Sequence, residues 1–362
     1  MRAEPIRVLL VEDSPVCLAI LKRMLAQASD IQVVGAAKNG KEALDLIPRV
    51  QPQVICTDLH MPVMDGLALT KTIMAQDPRA ILVISNHVQR DDAQNIFQLL
   101  EAGAIDVFPK PRGGDEAAYQ AHSEELIAKI RILSGVVAFR RSKRIASVQP
   151  SPPRTLEAPL RHRLMVVGAS TGGPEALLAL FSALPKDFPI PILCVQHISE
   201  GFLQGLVDWL NSKCALRVKI AAQGETPQAG TIYFPPEGTH LEIGHDGRLV
   251  LSTAPPKEGH RPSVDVTFCS AARIHGNALI GVLLTGMGKD GAQGMHSIAK
   301  AAGTTIAQDE NSCVVFGMPR HAIQLGAASK VLPLWDMAPT ILGLVSAEST
   351  KKSYSLQEMA TQ

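Results

Sequence analysis

The feature that most restricts how this chain can fold is a set of short apolar runs that are continuous rather than alternating. Five occur between Ile6 and about Gly135: IRVLLVED, IQVVGAA, PQVICTDL, AILVIS and AIDVFPKP. The segments between them carry the three-to-four-residue apolar spacing of amphipathic helices. A strand that faces solvent on one side alternates apolar and polar residues, so continuous runs imply strands covered on both faces. Strands that regularly alternate with helices in this way make a parallel, doubly wound sheet. After Leu164 the same rhythm returns in LMVVGAS, PILCVQH, RVKIAA, TIYFPP, HLEIG, RLVLS, ALIGVLLTG and TTIAQD. The expected architecture is therefore α/β twice over, which suits 362 residues better than one domain does.

Between the two sets lies FRRSKRIASVQPSPPRTLEAPLRHR, Phe139 to Arg163, rich in Pro, Ser and basic residues and without an apolar face. It reads as an exposed, semi-extended linker. The expected divisions are 1–135, a linker over 136–160, a second domain over 161–350 and a tail over 351–362. Charge gives no general footprint for nucleic acid, since 35 Lys+Arg stand against 34 Asp+Glu. The six cysteines form no CxxC pair, the usage of reduced, buried thiols. No signal peptide and no run of about 18 apolar residues is present, so a cytoplasmic protein that is not membrane-inserted is expected.

Chemistry concentrates at strand ends. In the first half, one strand ends in Glu12-Asp13, the third in Asp58, the fourth in Ser85, and Lys110 follows the fifth. Crowded carboxylates repel unless a hard divalent cation joins them. A cation, an ammonium and a hydroxyl around a central Asp suit phosphoryl transfer. Each residue alone is unremarkable, but five in order at successive strand ends are not.

In the second half, Gly168-Ala169-Ser170-Thr171-Gly172-Gly173 turns from an apolar run into a helix-like pattern opened by Pro174. Such a corner serves either as a phosphate cradle or as an elbow that lifts a nucleophile clear of the sheet. The turn is neither GxGxxG nor GxxxxGK[ST] and contains no lysine, which weakens the cradle. A nucleophilic serine needs a base and an orienting acid. His197 ends an apolar run at the same sheet edge, ahead of His240 and His260 in loop-like sequence. Asp290, in the glycine-rich TGMGKDG, ranks ahead of Asp265 and Asp309 as the acid.

The strand-end set, with DLHMPVMDG after Asp58, resembles a response-regulator receiver domain, a flavodoxin-like doubly wound sheet. GASTGG, VQH, HRPSVD, TGMGKDGA and CVVFGMPR, in that order behind such a domain, resemble the chemotaxis protein-glutamate methylesterases, the CheB family. The resemblance implies that Asp58 accepts a phosphoryl group from a chemotaxis histidine kinase. Glu12, Asp13 and Asp58 would then hold Mg²⁺, with Ser85 and Lys110 on the phosphoryl oxygens. It further implies a C-terminal doubly wound α/β esterase domain in which Ser170 is nucleophile, His197 base and Asp290 orienting acid. Thr171 and Met287 would lie around the oxyanion, with no cofactor in this domain. The implied substrates are glutamate methyl esters, and certain glutamines, on methyl-accepting chemoreceptors. A response regulator with a non-catalytic nucleotide- or DNA-binding output domain, supported by the basic linker, is the rival reading.

Overall fold

The computed structural model describes residues 4–85, 90–111, 116–136 and 162–346. The tail and nearly all of the expected linker fall outside the described residues.

The first unit runs β1 (Ile6–Val11), α1 (Pro15–Leu25), β2 (Ile31–Ala37), α2 (Gly40–Val50), β3 (Val54–Thr57), α3 (Gly66–Gln76), β4 (Ala80–Ser85), α4 (Arg90–Glu101), β5 (Asp106–Pro109) and α5 (Glu116–Ser134). Local chemistry starts its helices. The Ser14 side chain accepts from the Cys17 N–H with Pro15 next in line, and Asn39 accepts from the Glu42 N–H. The strands order as β2-β1-β3-β4-β5, every pair parallel. All four residues of β3 and all six of β4 are buried, as continuous apolar runs require.

The second unit runs β6 (Leu164–Ala169), α6 (Gly173–Ser182), β7 (Ile192–Gln196), α7 (Leu203–Lys213), β8 (Arg217–Ile220), β9 (Thr231–Phe234), β10 (His240–Ile243), β11 (Leu249–Ser252), α8 (Val264–His275), β12 (Leu279–Leu283), α9 (Ala292–Lys300), β13 (Thr304–Gln308), α10 (Met318–Gln324), β14 (Lys330–Leu332) and α11 (Leu334–Ser346). Seven strands form a parallel sheet in the order β14-β13-β12-β6-β7-β9-β8. The expectation of strands at HLEIG and RLVLS holds, but they do not join this sheet. β10 and β11 pair antiparallel as a separate ribbon. Leu241, Ile243 and Leu249 of that ribbon share a buried cluster with Phe268 of α8, and the Thr267 hydroxyl donates to the Leu241 carbonyl at 2.6 Å. At about 1.5–3 kcal/mol for each large apolar side chain buried, the ribbon is a substantial support for the start of α8.

The strand order reverses beside β1 and β3 in the first sheet and beside β6 and β12 in the second. Open α/β sheets hold ligands at the carboxyl ends of strands at such reversals. All six cysteines are free, but only Cys56 and Cys194 are buried, so the expectation of buried thiols holds for two of them. Among the described residues no helix is long and apolar enough to cross a membrane.

Candidate functional sites

At the reversal of the first sheet, Glu12 follows β1 and Asp58 follows β3, both buried, with Asp13 exposed beside them. One oxygen from each lies within 4.8 Å of the others. Lys110 Nζ is 2.7 Å from Asp58 Oδ2 and 2.9 Å from Glu12 Oε1. The Leu59 N–H donates to Asp58 Oδ1 at 2.7 Å. Burial pushes the Asp58 carboxyl up, against the opposing pull of Lys110. Burial also works against the Lys110 ammonium, yet its bonds to Asp58 and Glu12 leave its pKa raised. One ammonium does not balance three clustered carboxylates, so the donor set fits a hard divalent cation. Ser85 is buried at the end of β4, and its carbonyl accepts from the Lys110 N–H at 2.8 Å.

Gly66 closes DLHMPVMDG. A Cβ there would fall on the Asp58 carbonyl oxygen, a backbone atom that cannot swing aside. Gly66→Ala is expected to lower stability by about 1–3 kcal/mol, the usual range for overpacking, and to displace Asp58. Thermal unfolding checks the first effect and phosphoryl uptake from acetyl phosphate the second. Unchanged values in both would show that the loop shifts freely.

At the reversal of the second sheet, three neighbouring strands deliver Ser170, His197 and Asp290. Ser170 follows β6 directly and His197 follows β7, in a register that pairs Ala169 with Gln196. The Ser170 N–H donates to the Thr285 carbonyl beyond β12 at 3.0 Å. Gly172, whose φ of 75° lies in the left-handed region, caps α6, with Pro174 in the first turn. Gly286 brings the third loop in. A Cβ there would sit 2.7 Å from the Ser170 Cβ, so only glycine allows this approach.

His197 is nearly covered, its side chain 11% exposed. Its Nε2 is 2.9 Å from Asp290 Oδ2, while its Nδ1 is buried without a protein partner. A carboxylate accepts, so Nε2 carries the hydrogen and Nδ1 keeps a lone pair. Asp290 is itself held at the start of α8. Its Oδ2 accepts from the Val264 N–H at 2.8 Å, and its Oδ1 accepts from the Ser263 hydroxyl at 2.8 Å and the Asp265 N–H at 2.9 Å. Burial raises its pKa, but the hydrogen bond and charge of His197, with the two backbone N–H groups, outweigh that and bring it to about 2. The carboxylate occupies the anion site that a helix N-terminus provides.

Of the other sequence candidates, His260 stacks on His197, and the rest have different partners. Asp265, a lower-ranked candidate for the acid, lies at the start of α8. The cap is Ser263, whose Oγ accepts from the Val266 N–H, and Asp265 sits in the first turn. Its Oδ1 accepts from the Gly294 N–H at 2.6 Å, which ties α9 to α8. Asp309 bonds within its own loop, to Ser312. His240 is buried, Nδ1 accepting from the Ser263 N–H and Nε2 donating to the Pro255 carbonyl, a structural arrangement that consumes both nitrogens. Thr171 is buried and its carbonyl accepts from the Thr285 hydroxyl, whereas Met287 is 45% exposed. Gln196 escaped the sequence reading. Its one side-chain amide nitrogen donates to the carbonyls of both Ser170 and His197, each at 2.8 Å. The sequence signal was the central residue of VQH, a polar side chain ending an otherwise apolar strand.

Residues 165–341 match the CheB methylesterase family, and residues 8–120 match the response regulator receiver domain. A protein of Nitrosospira multiformis named protein-glutamate methylesterase/protein-glutamine glutaminase is 39% identical over 96% of this chain and 99% of its own. A protein of Hahella chejuensis with the same name, numbered 3, is 42% identical over 90% and 94%. The chain belongs to the CheB methylesterase family. Its second unit is also similar to the crystal structure of the Thermotoga maritima CheB methylesterase catalytic domain, with a TM-score of 0.50 and 40% identity over 51% of this chain and 99% of that one. A CheB family member thus joins a receiver domain to a parallel-sheet α/β hydrolase domain.

Proposed function

We propose that this chain is a protein-glutamate methylesterase and protein-glutamine glutaminase, controlled by phosphorylation and acting in the cytoplasm on methyl-accepting chemoreceptors. The observation that carries the reading is the state of His197: Nε2–H spent on a fixed carboxylate, Nδ1 buried without a hydrogen-bond partner, at the strand end next to Ser170. Ser170 Oγ attacks the ester carbonyl and its proton passes to His197 Nδ1. Asp290 holds the tautomer and balances the imidazolium. The Oγ–carbon bond forms as the carbonyl π pair moves to oxygen. N–H groups of the turn around Thr171, with the loop of Met287, receive that oxyanion. The proton on Nδ1 is given to methoxide, methanol leaves, and water activated by the same nitrogen releases the glutamate. With a glutamine substrate ammonia leaves instead. No cofactor is assigned to this domain.

In the receiver, Asp58 is proposed to take the phosphoryl group from a chemotaxis histidine kinase. Glu12, Asp13 and Asp58 would hold Mg²⁺, which when bound neutralises phosphoryl charge. Lys110, bonded to Asp58 and Glu12, would neutralise it too, and Ser85 would contact a further oxygen. The net charge of +1 gives no support to a DNA-binding output, and a nucleotide-binding one lacks a phosphate motif.

Methanol release from methylated receptor membranes tests the reading. Absence of Ser170-dependent release would overturn it. Asp58→Asn is expected to abolish phosphoryl uptake from acetyl phosphate with Mg²⁺ and to leave unstimulated methanol release in place. Labelling of that variant at wild-type stoichiometry would place the acceptor elsewhere.

A further inference from the structure

The ring of His260 lies flat against the ring of His197, with centroids 4.1 Å apart and planes 5° from parallel. Nε2 of His197 is taken by Asp290, Nδ1 is the atom to which the proposed mechanism gives the Ser170 proton, and His260 occupies a face of the ring. The backbone holds it there. Lys257 and His260 exchange two hydrogen bonds of 3.0 Å across a tight turn, whose central residues Glu258 and Gly259 have φ of 49° and 85°. Three residues on, Ser263 caps α8 and binds Asp290. One short segment therefore carries both the group that covers His197 and a group that fixes its carboxylate.

We propose that His260 is a positioning residue for His197: a neutral ring that fixes the plane of the catalytic imidazole, excludes water from one face, and offers its π face to the imidazolium formed during attack by Ser170. The proposal rests on the Ser170–His197–Asp290 reading. A π face attracts a cation and a second cation repels it, so the arrangement works only with His260 uncharged. The charged surroundings agree. Burial, and then the neighbouring His197, push the His260 pKa below its ordinary value, against Asp290 and Glu258. Glu258 is paired with Lys289 at 3.1 Å, and Lys257 lies 3.8 Å from Asp265. Arg261 donates to the Thr253 and Ala254 carbonyls. The carboxylate nearest the pair, Asp290, is bonded to His197 and not to His260.

Three substitutions in the full-length protein separate the parts of the proposal. His260→Ala removes the stack and is expected to lower kcat about ten- to hundredfold with KM little changed, the cost of a loosened catalytic group. His260→Phe keeps a neutral ring and is expected to restore kcat to within a few-fold of wild type. His260→Arg keeps a planar stacking group with a permanent charge. That charge disfavours the His197 imidazolium, so the acid limb of kcat/KM moves to lower pH than in His260→Phe, and kcat falls. NMR titration of the His197 ring in the same variants reads the coupling without turnover. Wild-type kcat in His260→Ala would overturn the proposal, as would superimposable His197 titrations in the Phe and Arg variants. Activity that survives Ser170→Ala would instead overturn the nucleophile assignment, while the ring titrations still decide the stack.

Discussion

Ser170→Ala is expected to reduce methanol release by at least about 10⁴-fold, because the members of a nucleophilic triad act as a unit and removing the nucleophile leaves only binding and oxyanion stabilisation. The fold should not change. Ser170 is held through its backbone, by its N–H to Thr285 and by its carbonyl from Gly173 and Gln196. Alanine keeps all of these bonds. Thermal unfolding and phosphoryl uptake at Asp58 should therefore match wild type. A variant that folds normally and retains more than a small residual of turnover would show that another group attacks the ester.

Asp290→Asn is expected to cost about 10⁴-fold in kcat, the order found when the orienting acid of a triad becomes an amide. The cause lies in the tautomer. Asp290 Oδ2 now accepts from His197 Nε2–H and from the Val264 N–H, while Oδ1 accepts from Ser263 and Asp265. An amide can present an oxygen to only one of these pairs. With its NH₂ toward His197, Nε2 must be the acceptor and the hydrogen moves to Nδ1, which can then no longer take a proton from Ser170, and the same NH₂ is set against the Val264 N–H donor. With its NH₂ toward Ser263 and Asp265, a buried donor faces the Asp265 N–H donor at the start of α8, which destabilises by about 1–3 kcal/mol. Since either orientation leaves a buried backbone donor unpaired, thermal stability falls in both, and the loss of activity marks the one that changes the His197 tautomer. Asp265→Asn or Asp309→Asn producing the larger loss with an intact fold would show the acid to be misassigned.

The same carboxylate makes stability depend on acid. Its pKa is about 2 in the folded chain against an ordinary 3.8, so folding is favoured while it is ionised. That contribution is fully present above the ordinary value and is lost as pH falls through 3.8 toward 2. The Asp290→Asn variant should lack this part of the acid dependence.

Much of the fold was legible because continuous apolar runs admit few arrangements. AILVIS and LMVVGA are buried along their lengths and lie in parallel sheets as their composition requires. The two-strand ribbon at HLEIG and RLVLS was legible as strands but not as a separate sheet, since an apolar hairpin can either extend the main sheet or pack on α8, and its own residues do not say which. The receiver cluster was legible for the same reason as the sheet, because parallel strands in a known order bring their carboxyl ends together.

What the sequence by itself determined was which side chains stand at strand ends: Glu12, Asp58, Ser85, Lys110, Ser170, His197 and a carboxylate near the end of β12. Local spacing dictates this, through strand length and turn chemistry. Only the tertiary structure decided which nitrogen of His197 meets Asp290, that Asp265 serves Gly294 instead, that Gln196 grips the backbones of Ser170 and His197 together, and that His260 covers the His197 ring. Those are choices among partners tens of residues apart. They are settled by the packing of α8 and its ribbon against the sheet, a long-range energy that no local pattern encodes.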